Sequence, residues 1–243
     1  MINHWFVTGD LHGRFTRIWN AALNDQYQGS IAFIVLGDGG VNYYADKSTK
    51  NLKKTLQNSG YTFYFVRGNH EERPENVEGM KLIYDADTYG YVWCEPQYPN
   101  IRYFKDGEVY LINGRWTLVI GGAYSVDKWY RLQRGYPYLW FQDEQLTQEE
   151  MNTIMKNRKG RHYDLVLTHT CPYSWQPFDL FLSGIDQSTV DNSMERWMEE
   201  FQNEISWGMW LFGHFHDDRK VKNNVKMLYE KIVNLDDVYK AFE

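Results

Sequence analysis

The chain alternates short apolar runs with polar, glycine-rich breaks. Trp5-Phe6-Val7 reads as a short buried strand, Ile31–Leu36 as a strand covered on both faces, and Tyr61–Val66 as a third. Between them, Arg14–Leu23 carries Phe15, Ile18, Trp19, Ala22 and Leu23 at helical spacing. Lys47–Asn58 is a polar helix with Leu52 and Leu56 four apart, closed by Gly60. Strand and helix therefore alternate three times, as in an open α/β sheet.

The pattern then changes. Ile101–Phe104, Val109–Ile112 and Trp116–Ile120 are separated by Lys-Asp-Gly and Asn-Gly turns, which predicts an antiparallel meander. A helix is expected near Thr147–Asn157, capped by Thr147 with Glu149 and Glu150 in its first turn. Asp164–Thr168 and Trp207–Phe212 read as strands. Thr189–Phe201 reads as a helix with Met194, Trp197, Met198 and Phe201 as its apolar stripe. Val225–Leu235 is expected to close the second sheet, and Pro172–Ser188 to form a loop near the site. No linker or repeat interrupts the pattern, so a single domain over 1–243 is expected.

What the strand ends carry is the chemical signal. The first strand leads into Gly9-Asp10-Leu11-His12-Gly13, where Asp10 and His12 are two apart and project to the same side of an extended segment. The second ends in Gly37-Asp38-Gly39-Gly40, the third in Arg67-Gly68-Asn69-His70-Glu71. Later strands end in His169 and in Gly213-His214-Phe215-His216. Five of the seven histidines lie at these ends, all but His4 and His162. A lone histidine is usually structural; a repeated run of Asp, Asn and His at strand ends suits divalent metal ligation.

Composition narrows the setting. At 243 residues and 43% hydrophobic the chain can bury a large core, and the 17% aromatic content is expected mainly to pack it. A net charge of −6 gives no strong nucleic-acid-binding signature. Two distant cysteines, Cys94 and Cys171, make no disulfide framework. With no leader before the first strand and no apolar run of membrane length, the expectation is a cytoplasmic protein without membrane contact.

In order, these blocks resemble those of the calcineurin-like metallophosphoesterase superfamily: D-x-H, G-D, G-N-H-[E/D], a single His, and G-H-x-H, over essentially the whole chain. The resemblance implies an α/β fold (α+β by some schemes), a two-sheet β-sandwich of mixed strands flanked by helices. It implies two divalent ions, one held by Asp10, His12 and His216, the other by Asn69, His169 and His214, with Asp38 bridging. A carboxylate can span ions roughly 3.5–4 Å apart. Nitrogen and oxygen ligands suit Mn, Fe, Zn or Ni. The implied activity is hydrolysis of a phosphate ester, a phosphomonoester or nucleotide-type substrate, by in-line attack of a metal-bridging hydroxide. His70 occupies the family's acid position and would assist the leaving oxygen. Its alternative role is to stabilise the loop.

The D-L-H-G and R-G-N-H-E blocks resemble those of serine/threonine protein phosphatases and diadenosine tetraphosphate hydrolases, or of a bacterial or phage-type member. Those enzymes continue the second block as G-D-x-V-D-R-G. This chain has Val41 where the second Asp would stand and Asn42 where the Arg would stand, so assignment as a protein phosphatase does not follow. Arg14, Arg67 and Arg73 are candidates for a phosphate clamp instead, against the stronger expectation that each alone is a surface or loop residue. In the block Gly121–Arg131, which resembles one in bacterial and phage metallophosphatases, Asp127, Lys128 or Arg131 are candidates to touch substrate, against an equal alternative of a structural turn with an ion pair. Trp129, Tyr130, Tyr136, Tyr138, Trp140 and Phe141 are expected to pack on the meander, against the alternative that they wall a pocket stacking a base or ring. The competing functions are a phosphodiesterase or nuclease of the same fold, and a metal-bound binding module without turnover.

Overall fold

The computed structural model describes residues 1–44, 46–181 and 183–240. The chain opens with β1 (His4–Thr8), α1 (Thr16–Asn20), α2 (Leu23–Gln26), β2 (Ile31–Leu36), α3 (Lys47–Gln57) and β3 (Thr62–Val66). It continues with β4 (Lys81–Asp85), β5 (Gly90–Cys94), β6 (Ile101–Phe104), β7 (Val109–Ile112), β8 (Arg115–Ile120), α4 (Lys128–Arg134) and α5 (Gln148–Arg158). The last part holds β9 (His162–Thr168), α6 (Ser193–Glu204), β10 (Ser206–Phe212), β11 (Arg219–Lys222), β12 (Val225–Met227), β13 (Val233–Asn234) and α7 (Leu235–Lys240).

The strands form two mixed sheets, ordered β13-β1-β2-β3-β6-β5-β4 and β11-β12-β10-β9-β8-β7. Alternation within each strand explains the layering. Trp5, Val7, Ile34, Leu36, Tyr64 and Val66 face the second sheet's Val119, Leu165, Leu167, Met209 and Leu211 in one central core. The intervening Phe6, Phe33, Val35, Phe63 and Phe65 pack on the outer side with Phe15, just before α1, and with Ile18 and Leu56 from the helices. Behind the second sheet, Val166, Trp210 and Phe212 meet Met151, Ile154, Met194, Met198 and Phe201. The result is the expected α/β sandwich, with strands buried on both faces and correspondingly continuous in apolar residues.

In the first sheet β1, β2, β3 and β6 run parallel, with Val7 beside Ile34 and Val35 beside Phe65. In the second, β8, β9, β10 and β12 run parallel. Parallel strands deliver their C-terminal ends to one edge, where the polar blocks sit.

Local chemistry fixes the helix starts. Asp46 accepts from the backbone N–H of Ser48 and Thr49 at the start of α3, and Thr147 and Glu150 form a reciprocal capping box on α5.

Four expectations are corrected. The meander is divided: β6 pairs parallel with β3 and antiparallel with β5 in the first sheet, while β7 and β8 form a hairpin in the second. Turn chemistry reveals that the chain reverses, not which sheet receives the next strand. Val225–Leu235 is also split, since β12 joins the second sheet and β13 pairs with β1 in the first. The first helix breaks into α1 and α2 at Ala22, whose φ is +46°. The helix expected from Thr189 begins at Ser193, because Gln187–Thr189 closes a 3-10 turn capped by Asp186.

The β4–β5 hairpin is an additional element. β4 is an exposed edge strand without alternation, tied down where Asp85 accepts from the Tyr64 hydroxyl and the Arg102 guanidinium.

Candidate metal centre

The floor of the site is set by two carboxylates and the strands beside them. Asp10, just beyond β1, receives the His214 backbone N–H on Oδ1 at 2.9 Å. Asp38, beyond β2, receives the His70 backbone N–H on Oδ1 at 2.8 Å. Each carboxylate is thus oriented by the backbone of another strand end. Close approach requires glycine: a Cβ on Gly68 would stand 2.0 Å from Asp38 Oδ1, and one on Gly37 (φ +94°) 2.0 Å from His169 Nδ1.

His12, Asp38, His214 and His216 adopt positive φ, four of the seven non-glycine residues that do so among those described. Such backbone is costly for residues with a Cβ, and its clustering on chemically active side chains marks a functional site.

The other atoms of the cluster face one another without a conventional partner. Asp10 Oδ2 is buried and makes no hydrogen bond within the protein. His216 Nε2 lies 3.2 Å from it, and His12 Nε2 lies 3.9 Å from Asp10 Oδ2 and 3.9 Å from Asp38 Oδ2. The His12 and His216 Nε2 atoms approach to 3.0 Å. On the other side, His169 Nδ1 meets the Leu36 carbonyl at 2.7 Å. With the proton on Nδ1, Nε2 presents a lone pair 2.8 Å from Asn69 Oδ1 and 3.8 Å from Asp38 Oδ1. Acceptors converging on acceptors is a donor set for a cation. Asp10, His12 and His216 form one such group and Asp10, Asp38 and His169 another. The His214 ring packs edge-on to that of His169, with centroids 4.9 Å apart.

Asn69 is aimed by residues that sequence reasoning missed. Its Nδ2 donates to Ser125 Oγ at 2.8 Å. Ser125 in turn donates its hydroxyl and its backbone N–H to the buried Glu144 carboxyl. This chain turns Asn69 Oδ1 toward His169. Gly121–Arg131 drew notice in the sequence, but nothing distinguished Ser125 within it.

Charge follows from burial and neighbours. Burial alone would lift Asp10, but the imidazoles of His169, His216 and His12 outweigh it and hold the carboxyl below its usual range. Asp38 is likewise raised by burial, lowered more by His70 and His169, and lies below its ordinary value. Burial and His169 push His214 down to about 3, which favours a neutral imidazole. The Asp10 carboxylate, with Oδ2 3.2 Å from its Nε2, lifts His216.

His70 stands at the open side, its ring centroid 5.8 Å from that of His12. Burial, and then Arg131, keep its pKa below the usual value against the pull of Asp38. Its Nδ1 is buried without a partner, and its Nε2 lies 3.4 Å from Arg131 Nη2. Arg131 is held by Asp127, both of whose carboxylate oxygens lie 2.8 Å from its Nε.

The arginine candidates separate. Arg131, Asp127 and the exposed Arg14 border cavities at the cluster. Arg73 does not. Its buried guanidinium donates to the Asp143 and Gln145 carbonyls and to Glu150. Arg67 is fully buried on Asp106 and on the Gly121 and Glu144 carbonyls. Both tie surrounding loops together and border neither cavity at the cluster, which fits their reading as loop residues and corrects the candidate clamp role.

Val41 is wholly buried in the outer core, and Cys171 in the core beneath α6. The packing expected of the aromatics in and after α4 is also corrected. Phe141 is buried, but Trp129, Tyr130, Tyr136 and Tyr138 are exposed, α4 has no buried residue of its own, and Tyr138 borders a cavity at the cluster, as the pocket-wall alternative has it.

The fold and the donor set define a metal-dependent hydrolase architecture. A family model described as calcineurin-like phosphoesterase matches residues 6–218, and the chain belongs to that family. It is accordingly a metal-dependent phosphoric ester hydrolase. No curated protein matches the chain. Among solved structures it is similar to the phosphopantetheinyl hydrolase of Mycobacterium tuberculosis, at 14% identity and TM-score 0.48, over 93% of this chain and 88% of that one. Among the described residues, no helix is long and apolar enough to cross a membrane.

Proposed function

We propose that this hydrolase works with two divalent ions, one held by Asp10, His12 and His216 and the other by Asn69, His169 and His214, with Asp38 shared. The supporting observation is the convergence of the buried Asp10 Oδ2, which makes no hydrogen bond within the protein, with the Nε2 atoms of His12 and His216, and of His12 Nε2 with Asp38 Oδ2. Divalent ions at such a site supply Lewis acidity and an activated water for attack on phosphorus. The chain's own residues do the rest. Asp10 and Asp38 hold negative charge at the floor, and neutral His214 and Asn69 leave the bound site net positive toward a phosphate oxyanion. His70 is placed at the mouth to give a proton or hydrogen bond to the departing oxygen, and Arg131 beside it to receive a phosphoryl oxygen.

The test is chelation followed by return of Mn, Zn, Ni or Mg, with a chromogenic phosphate ester as substrate. Hydrolysis should return with metal, at two ions per chain. Asp38→Asn should lose metal and turnover together. Full activity at one ion per chain would remove the shared role of Asp38.

A further inference from the structure

Two cavities meet at the cluster, and they differ in chemistry. The first, about 500 Å³, reaches from Asp38, Asn69 and His214 toward Leu180, Phe181, Ile185 and Phe215. Its exposed wall is mainly apolar, with Gln176, Gln187 and Glu195 also bordering it, and the Phe181 ring lies nearly parallel to that of Phe215 at 6.3 Å. The second, about 550 Å³, runs the other way between Arg14, Tyr43, Tyr44, Ser48 and Tyr138. Its wall offers hydroxyls and a guanidinium. Either volume is of the size that takes a small organic group.

Three residues border both: His12, His70 and Arg131. Arg131 is fixed there from several directions. Beyond Asp127, its Nη1 donates to the Tyr43 hydroxyl at 2.9 Å and to the Leu139 carbonyl at 3.1 Å, leaving Nη2 toward His70. The reacting phosphorus would therefore sit where one cavity passes into the other.

A phosphomonoester has one substituent and needs one cavity. A phosphodiester has two, diverging from a single tetrahedral phosphorus, and needs one on each side. From this geometry we infer that the substrate is an asymmetric phosphodiester, with an apolar or ring-bearing group in the first cavity and a polar, hydroxyl-rich group in the second. The inference rests on the phosphoesterase reading above and narrows it. The step balances as hydrolysis: water adds to phosphorus, one P–O ester bond breaks, and the departing oxygen takes up a proton. The products are an alcohol and a phosphomonoester.

The experiment compares bis(p-nitrophenyl) phosphate with p-nitrophenyl phosphate on the metal-loaded protein, in wild type and in Ser48→Trp. Ser48 is exposed in the first turn of α3, so an indole there fills the second cavity without entering the core. The diester should be preferred at least tenfold in kcat/KM, and Ser48→Trp should cut that preference at least tenfold. A binding readout stands beside it: calorimetry with the inert analogues diphenylphosphinate, carrying two rings, and phenylphosphonate, carrying one. Ser48→Trp should weaken the first at least tenfold more than the second. Preference for the monoester in wild type, or a preference and an affinity ratio both unmoved by the indole, would overturn the diester inference and leave the hydrolase reading standing. Hydrolysis of neither ester at any metal would count against that reading itself.

Discussion

The cluster has a sealed floor and an open rim, and the two are built differently. On the floor, the Asp10 and His169 side chains are 0% exposed, whereas at the rim His12 is 35% and His216 48% exposed. Floor side chains are fixed by hydrogen bonds from other strand ends, as His214 N fixes Asp10 and the Leu36 carbonyl fixes His169. Rim groups keep nitrogen atoms unsatisfied, as His70 Nδ1 does. The arginines divide the same way, with Arg67 and Arg73 buried among carbonyls and Arg131 at the junction of two cavities. The floor is sealed and held by backbone groups, with Asp10 Oδ2 left without a partner, and the rim is open where substrate must enter.

The largest expected effect is at the rim. His70→Asn should keep its metal content and the melting temperature while lowering kcat by about 10²–10⁴, the usual loss of an acid–base group. Metal analysis beside steady-state kinetics decides it, and a variant with wild-type turnover would make His70 a loop residue.

The two sides of the donor set sharpen the contrast. His216→Ala should lose metal affinity by at least the roughly 10–100-fold that disturbed ligand support costs, with stability in the metal-free state nearly unchanged. His169→Ala should lose metal and also about 2 kcal/mol of metal-free stability, because it leaves the buried Leu36 carbonyl without its donor. Titrated metal binding and urea unfolding read the two losses separately. Equal destabilisation by both changes would erase the floor–rim distinction.

The division also explains what could be read from sequence. The donor set was legible because each candidate ligand follows an apolar run, and parallel strands bring such ends to one edge. Asp10, His12, Asp38, Asn69, His70, His169, His214 and His216 were all named from that pattern, and the structure brings them together. The residues that support and border them were not legible in the same way. Arg131 reaches His70 through α4, a helix with no buried residue and hence no apolar stripe to announce it. Ser125 and Glu144 act through hydrogen bonds across 19 positions, a separation that carries no local signature. The exchange of β6 and β7 between sheets is likewise decided by packing, since either sheet could accept a short apolar strand.

Arg73 tests the division among like residues. Its guanidinium joins Glu150 at 2.7 Å and two carbonyls. Arg73→Ala should therefore cost about 3 kcal/mol of stability by stranding those groups. KM for a phosphate ester, measured where the variant is fully folded, should stay close to wild type. A raised KM with unaltered unfolding would return Arg73 to the substrate.

The smallest effect lies where floor and cavity meet, at Glu195. This residue of α6 is buried, borders the first cavity, and accepts from Thr170 on Oε1 while Oε2 lacks a partner. Burial lifts its carboxyl from 4.5 to about 7. Between those values the unfolded chain releases the proton and the folded chain keeps it, so Glu195's contribution to stability falls as pH rises and levels off above about pH 7. Glutamine stays neutral throughout and removes that dependence. Glu195→Gln should thus gain stability relative to wild type between pH 5 and pH 8, on the order of 2 kcal/mol. Urea unfolding of the metal-free proteins at the two pH values measures the difference. A gap that does not change with pH would mean the carboxyl is ionised in the fold, and the sealed floor would end short of α6.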